Sequence, residues 1–416
     1  MRPFKWLLKA VFGIYALLLP IVTHAEALSW DAWLVSQIQK HPEMLAAHEQ
    51  LLGTKAAAKA MSQPLYNPVL STGFETKKLE DSYQLGVEQT VDWWDIRGAK
   101  QHQARDMSRE AEARYRQQFM EMTTAVLSAL AEWQMANKAA IVAKKQKKQL
   151  DLLLDQVEKR QQAGDLGAAD AELTFLSLSQ RLTELAEVEA TLLQAESKVQ
   201  ELLTEWAPEL DGIPDDFLET MSGSISEQDT MQHPMVAVAK ARWQSLKNEV
   251  EITRRSMMAE PTFGITLGRN ILSEGENESV VGVALTIPLN IRTDPNFEIR
   301  TSQQAALEAE ARFKAVSRKL EFDFQAALAS WQRYKNQYER WQKVVQGRLE
   351  SSSQMLEQQW RNGELSTTDY LQALSQRSES LLAGITLEKQ VMLSLIDALS
   401  KTGRLPIKMA LVEGTE

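Results

Sequence analysis

Apolar and polar residues alternate with a period of two in three short segments of the chain. Most odd positions of 83–91, all odd positions of 281–289, and 263, 265 and 267 are apolar, and small or polar residues separate them. This alternation predicts β-strands with one apolar face and one small or polar face. Polar loops, Lys77–Asp81 and Ser273–Ser279, are expected to join the strands into two hairpins. Strands of about nine to eleven residues have the length of transmembrane β-strands.

Between these segments the apolar period becomes helical. No proline occurs in residues 69–207 or 296–405, and residues 99–163 contain neither proline nor glycine. Proline breaks helix interiors and glycine weakens them, so the sequence predicts helices of about 65 residues that span roughly 100 Å. Apolar residues step by three and four as in coiled coils: Trp331, Tyr334, Tyr338, Trp341 and Val345, and, with one position skipped, Leu185, Val188, Leu192, Val199 and Leu202. Such seams are expected to pack against neighbouring helices.

The two halves of the chain repeat each other. Three landmarks recur in the same order, with offsets of 192, 196 and 199 residues. They are His41-Pro42 with His233-Pro234, the strand phrase 85–92 with 281–288, and Gly164-Asp165-Leu166…Asp170 with Gly363-Glu364-Leu365…Asp369. Ordered landmarks at nearly constant offsets indicate an internal duplication.

The duplication sets the predicted domain boundaries. Each repeat contains a helix, a β-hairpin (about 68–92 and about 261–289) and a long helical hairpin (about 97–205 and about 299–402). The predicted units are a signal peptide (1–25), the first repeat (26–206), a linker or equatorial segment (207–232), the second repeat (233–405) and a C-terminal tail (406–416).

The signal peptide is predicted from basic residues Arg2, Lys5 and Lys9 before an apolar run over 10–22. Small residues precede Glu26, which favours cleavage after Ala25; cleavage after Ala27 also fits. A retained membrane anchor is the alternative, but the run is short for a spanning helix, which needs about 20 apolar residues. We therefore expect an exported chain without transmembrane helices.

Composition and charge exclude several function classes. A net charge of −10 argues against nucleic-acid binding, which needs basic residues to neutralise phosphates. The absence of cysteine excludes disulfides and thiolate chemistry. The five histidines have no metal-ligand spacing, and no Ser/His/Asp set or phosphate-binding loop occurs. We expect no enzyme activity, no cofactor and no metal site.

Two hairpins supply only four strands. A four-stranded sheet in lipid leaves two edges of unpaired backbone groups, and bacterial membrane barrels begin at about eight strands. Several copies of the chain are therefore expected to pool their strands. Three copies give twelve strands, although two or four copies remain open on this argument alone.

The duplicated motifs resemble the TolC-like outer-membrane factor family over about residues 28–406. The resemblance implies mixed α and membrane β structure: a homotrimer in the cell outer membrane, with a 12-stranded β-barrel in lipid continued by a periplasmic α-barrel. It also implies a passive efflux duct that docks to a periplasmic adaptor protein and, through it, to an inner-membrane pump, most simply of the RND type. The segments 87–92 and 97–100 resemble the heavy-metal (cobalt–zinc–cadmium) branch of the family, while drugs, organic acids and proteins stay open as cargo.

The resemblance also implies functional residues. Asp369 and Asp170 match aspartates that ring a periplasmic constriction; the alternative is a carboxylate near a helix N-cap. Tip-turn and adaptor-docking candidates are Gly164, Asp165, Leu166, Gly363, Glu364 and Leu365. The sequence departs from the family at Trp360, Leu365 and Gln372, so the gating contacts of other members are not carried over.

Trp93 and Trp94 follow the second strand immediately. Two interpretations fit them equally well: a membrane-interface aromatic belt, and ordinary packing at the strand–helix junction.

Two other functions remain open for the chain. One is a soluble periplasmic coiled-coil adaptor or scaffold, which leaves the hairpins unexplained, and the other is the duct of a type I protein secretion system.

Overall fold

Long helices make up most of this computed structural model, which describes residues 29–403 except 79, 165–166, 209–211, 218–219, 221–231, 273–276, 290–291 and 293. The predicted signal peptide, the C-terminal tail and most of the linker therefore lie outside the described residues. In chain order the elements are α1 (Trp30–Lys40), α2 (Pro42–Met61), β1 (Val69–Lys77), β2 (Glu80–Thr90), α3 (Ile96–Ala163), α4 (Ala168–Leu202), α5 (Pro234–Ser256), β3 (Thr262–Leu272), β4 (Asn277–Thr286), α6 (Asn296–Trp341), a π-helical segment (Gln342–Gln346), α7 (Gly347–Arg361) and α8 (Thr367–Thr402). Among these residues, no helix is both long and apolar enough to cross a membrane.

The four strands form one antiparallel sheet in the order β1-β2-β3-β4. The hairpins of the two halves are joined through β2 and β3, where Leu85 pairs with Leu267. At the end of this pairing the hydroxyl oxygens of Thr90 and Thr262 lie 2.8 Å apart. The first hairpin loop is shorter than the predicted Lys77–Asp81, because Lys77 and Glu80 already pair.

The first long helix, α3, runs for 68 residues without interruption, or about 100 Å, as the lack of proline and glycine predicted. The matching segment of the second half is continuous from Asn296 to Arg361 but contains the π-helical turn 342–346. Trp341, directly before this turn, packs its indole against Gly384 of α8, and a Cβ at that glycine would overlap the ring. The residue pattern of 342–346 does not predict this irregular turn.

Buried apolar residues lie between the helices in two main clusters. The larger one includes Leu127, Leu130 and Ile396 and the edge-to-face pair Trp133 and Trp206, whose ring centroids are 4.9 Å apart. The second joins the far ends of the helical hairpins and contains Leu150, Leu153, Leu178, Leu185, Trp360 and Tyr370. Leu185 and Val199 of the predicted seam are buried, whereas Tyr334 of the other seam is 38% exposed. Burial of these seams holds the long helices side by side.

The two His-Pro pairs begin equivalent helices. His41 and His233 are the N-cap residues of α2 and α5, and their Nδ1 atoms accept hydrogen bonds from the amides of Glu43 and Met235. His233 is also buried, and its Nε2 donates to the carbonyl oxygen of Ser400 at 3.0 Å. Because Nδ1 accepts and Nε2 donates, the geometry requires the neutral ring. Burial lowers the pKa of His233 below its ordinary value of 6.5.

This geometry predicts a pH-dependent loss of stability. A histidine whose pKa is lowered by folding contributes its full stability above pH 6.5, and that contribution falls as the pH drops toward the folded-state pKa. The slope is at most about 1.4 kcal/mol per pH unit for each chain. His233→Asn keeps an N-cap acceptor but cannot titrate, so thermal unfolding is expected to depend less on pH between 7.5 and 5. His41→Asn, at the less buried cap, is the matched control and is expected to retain the wild-type dependence; equal slopes for all three proteins would contradict the assignment.

Candidate functional site

One face of the sheet is apolar and exposed. The strand register places the apolar residues in rows across the sheet: Leu70, Val87, Ile265 and Val283 on all four strands, then Leu85, Leu267 and Val281, with Thr72 completing the second row on β1. Their exposure is unusually high for such residues, reaching 82% at Val283 and 71% at Val281. Single exposed apolar residues are ordinary, but a contiguous apolar face marks a surface that binds lipid or another protein.

The opposite face carries mainly small and polar residues, with Val280 as an apolar exception. Rows on this face are Ser71, Gly86, Thr266 and Gly282, then Gly73, Gln84, Gly268 and Val280. The Ser71 hydroxyl lies 2.6 Å from where a Cβ of Gly86 would stand, so this face has no room for a larger side chain there. The sheet therefore separates an apolar side from a side that water can wet.

Both edges of the sheet are open within the chain. β1 pairs only with β2, and β4 pairs only with β3, in the part of the chain that the structure describes. Each outer edge presents backbone amide and carbonyl groups that need hydrogen-bond partners. In a lipid environment these groups require another strand, because no water is available to bind them.

Trp93 and Trp94 lie between β2 and α3, at the boundary of sheet and helices. Their side chains are 63% and 41% exposed, and Trp94 Nε1 donates to the carbonyl oxygen of Ala259 at 2.8 Å. The neighbouring Asp92 accepts hydrogen bonds from the amides of Ile96 and Arg97 at the start of α3. Trp94 thus has a packing contact to the second half of the chain, and both rings keep the exposure that interface aromatics need. Their membrane role stays a prediction.

Glycines with positive φ follow α3 and α7, at the two turns that we call the first and second tips. Gly164 after α3 has φ 79°, and Gly363 after α7 has φ 77°. At the second tip the amides of Gly363 and Glu364 donate to the carbonyls of Trp360 and Gln359, which is the Schellman pattern. A substitution at either glycine forces a side chain into a left-handed conformation. Asp165 and Leu166 of the first tip lie outside the described residues.

Asp369 lies in the first turn of α8 with its carboxylate exposed. Its amide donates to Oγ of the N-cap residue Ser366 at 3.1 Å, and the Ser366 hydroxyl donates to its Oδ2 at 2.7 Å. Ser366 therefore caps the helix, and the carboxylate of Asp369 accepts a hydrogen bond from the capping hydroxyl. Asp369 thus lies near a helix N-cap, as in the alternative interpretation, and its exposure leaves the carboxylate able to interact with ions. Asp170 lies in the first turn of α4, and its side chain is outside the described set. Glu364 is exposed and Leu365 half-buried.

Trp360 and Tyr370 stack across the second tip, a contact that the residue pattern did not predict. Their ring centroids lie 4.8 Å apart with an interplanar angle of 7°. The Arg160 guanidinium of α3 lies 5.6 Å from the centre of the Trp360 ring, so the pair links the two helical hairpins. Burial raises the pKa of the Tyr370 hydroxyl. Two aromatics on opposite sides of a glycine turn were the only sequence signal.

The described residues contain no group of three His, Asp or Glu side chains placed to hold a metal ion. No protein-family model matches the chain, and no curated protein matches it.

Solved structures do match over nearly the whole length. The chain is 14% identical to CusC, whose structures concern folding and transmembrane channel formation; the match covers 90% of this chain and 92% of CusC with a TM-score of 0.73. It is 13% identical to the CmeC outer-membrane channel of Campylobacter jejuni, and the match covers 89% of this chain and 84% of CmeC with a TM-score of 0.70. It is 15% identical to the outer-membrane protein VceC of Vibrio cholerae, and the match covers 89% of this chain and 96% of VceC with a TM-score of 0.69. The chain has the fold of these outer-membrane proteins.

Proposed function

We propose that this protein is the channel subunit of an outer-membrane duct, a TolC-like outer-membrane factor. The observation that carries the proposal is the sheet: one exposed apolar face, one small and polar face, and two open edges. Lipid fits the apolar face, and an aqueous lumen fits the other. A soluble adaptor or scaffold would have no use for an uncovered apolar face of this size.

Ring closure between copies supplies partners for the open edges. When β4 of one copy pairs with β1 of the next, three copies form a closed barrel of twelve strands in the outer membrane. The long helices then continue the barrel as a helical tunnel into the periplasm. Trp93 and Trp94 lie at the boundary between the two parts, where an aromatic belt would meet the lipid headgroups.

The tips serve docking and gating in this proposal. The turns around Gly164 and Gly363, with Asp165, Leu166, Glu364 and Leu365, are the docking candidates for a periplasmic adaptor. Asp369 and Asp170 of three copies would form acidic rings at the entrance. An inner-membrane pump of the RND type supplies the energy through the adaptor, so the duct itself is passive. The strand phrase 87–92 favours a heavy-metal cation as the cargo.

Cysteine pairs test the ring directly, because the natural chain contains no cysteine. Ser71→Cys in β1 is combined in turn with Glu278→Cys, Val280→Cys or Ala284→Cys in β4. Within one chain β1 and β4 are three strand spacings apart, about 14 Å, whereas a disulfide needs Cα atoms within about 7 Å. Oxidised membranes are expected to yield a covalent trimer for at least one pair.

The paired positions Gly73 and Gln84, both changed to cysteine, serve as an oxidation control within one chain, because a Cβ at Gly73 would lie 3.8 Å from that of Gln84. If the largest crosslinked species on the gel contains two or four copies, the proposed stoichiometry of three is wrong. A protein that is recovered as a soluble monomer would refute the channel.

A further inference from the structure

One arginine interrupts the apolar face of the sheet. Arg269 of β3 follows Ile265 and Leu267 at intervals of two residues, so its side chain leaves the sheet on the apolar face. The residue is exposed, and no ion pair joins it to an acidic group among the residues that the structure describes. A charge on a face that lies in lipid is unfavourable unless it has a partner, and the proposed duct alone gives Arg269 none.

The acidic residues at this end of the sheet leave the guanidinium of Arg269 available. Glu75 and Glu278 belong to the adjacent row, whose side chains lie on the opposite face. Asp81 is on the apolar face one row nearer the hairpin loop, and its carboxylate accepts a hydrogen bond from the Thr76 hydroxyl. The two faces therefore differ in charge at the loop end, with acidic groups on the polar face and an unpaired cation on the apolar one.

Two aromatic residues share the row of Arg269. Its register partners are Tyr83 on β2 and Ser279 on β4, and Phe74 on β1 pairs with Tyr83. The ring centroids of Phe74 and Tyr83 lie 5.0 Å apart, and both residues are exposed. Exposed aromatic side chains on the lipid side of a β-barrel mark the level of the lipid headgroups.

The distance to the other aromatic level matches the thickness of a membrane. Tyr83 and Trp93 are ten residues apart, which corresponds to about 33 Å along an extended chain. A strand tilted by about 40° crosses about 25 Å of membrane over that length, and the apolar band of an outer-membrane barrel is about 25 Å tall. With Trp93 at the periplasmic interface, Arg269 lies at the outer one. An arginine is tolerated at that depth, whereas at mid-depth it is strongly unfavourable.

We infer that Arg269 binds a phosphate group on the headgroup of an outer-leaflet lipid. The planar guanidinium presents paired N–H donors that match two phosphate oxygens, and the acyl chains of the same lipid lie on the apolar rows of Leu267 and Ile265. A free phosphate ion would use the guanidinium alone, so the aromatic row and the apolar face below it favour a lipid. The inference rests on the proposed function, because it requires the apolar face to lie in lipid.

Lipid binding to the purified oligomer tests the site. The probe is lipid A, a glycolipid with two phosphate groups, and the control lipid is lipid A from which a phosphatase has removed both. Native mass spectrometry counts the bound molecules on the full-length wild-type oligomer. We expect up to one lipid A per chain, binding of the dephosphorylated lipid to be at least about fivefold weaker, and no displacement of lipid A by a large excess of inorganic phosphate.

Two variants locate the binding on the sheet. Arg269→Gln removes the charge and is expected to weaken binding of lipid A at least about fivefold. The matched variant combines Arg269→Asn with Asn270→Arg, which moves the cation to the opposite face and changes neither the composition nor the net charge. It is expected to bind lipid A as weakly as Arg269→Gln does. Heat-labile oligomers on gels establish that each variant assembles, and the comparison of the two lipids on the wild type needs no variant.

Failure of the inference and failure of the proposed function give different results. An assembled oligomer that binds both lipids equally, or that loses lipid A to inorganic phosphate, overturns the site and leaves the duct in place. Wild-type affinity in Arg269→Gln also overturns it. So does wild-type affinity in the exchanged variant, because total charge rather than position would then determine binding. A chain that is recovered as a soluble monomer refutes the proposed function itself.

Discussion

Val281→Arg is expected to abolish assembly of the channel in the outer membrane. Val281 stands in the middle of β4, in the row with Leu85 and Leu267, and is 71% exposed on the apolar face. An arginine facing lipid at mid-depth costs about 2–4 kcal/mol, and a ring of three copies incurs this cost three times. The total is comparable with the stability of an ordinary protein domain.

The adjacent Val280 provides a control within the same strand. It pairs with Gly268 on the small and polar face, where the side chain would point into water. Val280→Arg makes the same chemical change and is expected to leave the membrane-embedded oligomer intact. Heat-labile oligomers on gels of isolated outer membranes report both variants. Loss of assembly in both, or in neither, would contradict the assignment of the two faces.

The alternating pattern predicted the strands because successive side chains of a strand point to opposite faces. Leu85 and Val281, aligned by the duplication, both lie on the apolar face in the same row. The pairing of β2 with β3 was less accessible to sequence reasoning, since Thr90 and Thr262 are 172 residues apart. No local pattern encodes a register between such distant segments. The predicted first loop was too long because polar residues near a hairpin end fit a strand equally well.

The helices show the same division between local and distant information. Missing prolines and glycines predicted the length of α3, and glycines marked both tips. The stacking of Trp360 on Tyr370 under Arg160 depends on how three helices pack, which residue spacing alone does not specify. The packing of Trp341 against Gly384 is also a contact between separate helices. Glycine inside a helix is ordinarily interpreted as a weak point, whereas here its missing side chain admits an indole.

Asp369→Asn is expected to remove most of the cation preference of the reconstituted channel. A unit charge contributes about 1 kcal/mol to an ion 4 Å away even in water, so three carboxylates at one constriction contribute up to about 3 kcal/mol. Because 1.4 kcal/mol corresponds to a factor of ten, the ratio of cation to anion permeability is expected to fall by up to about a hundredfold. Reversal potentials in planar bilayers under a salt gradient measure this ratio.

Comparing asparagine with alanine separates the proposed constriction role of Asp369 from its hydrogen bond with the N-cap residue Ser366. Asparagine keeps an oxygen that accepts from the Ser366 hydroxyl, so this hydrogen bond remains while the charge is lost. Asp369→Ala removes both the charge and the hydrogen bond, and is expected to destabilise the tip by about 1 kcal/mol in addition. If asparagine leaves the selectivity unchanged, Asp369 acts only by supporting the cap at Ser366. The two roles share one position in the sequence, and only removal of the charge with the hydrogen bond kept distinguishes them.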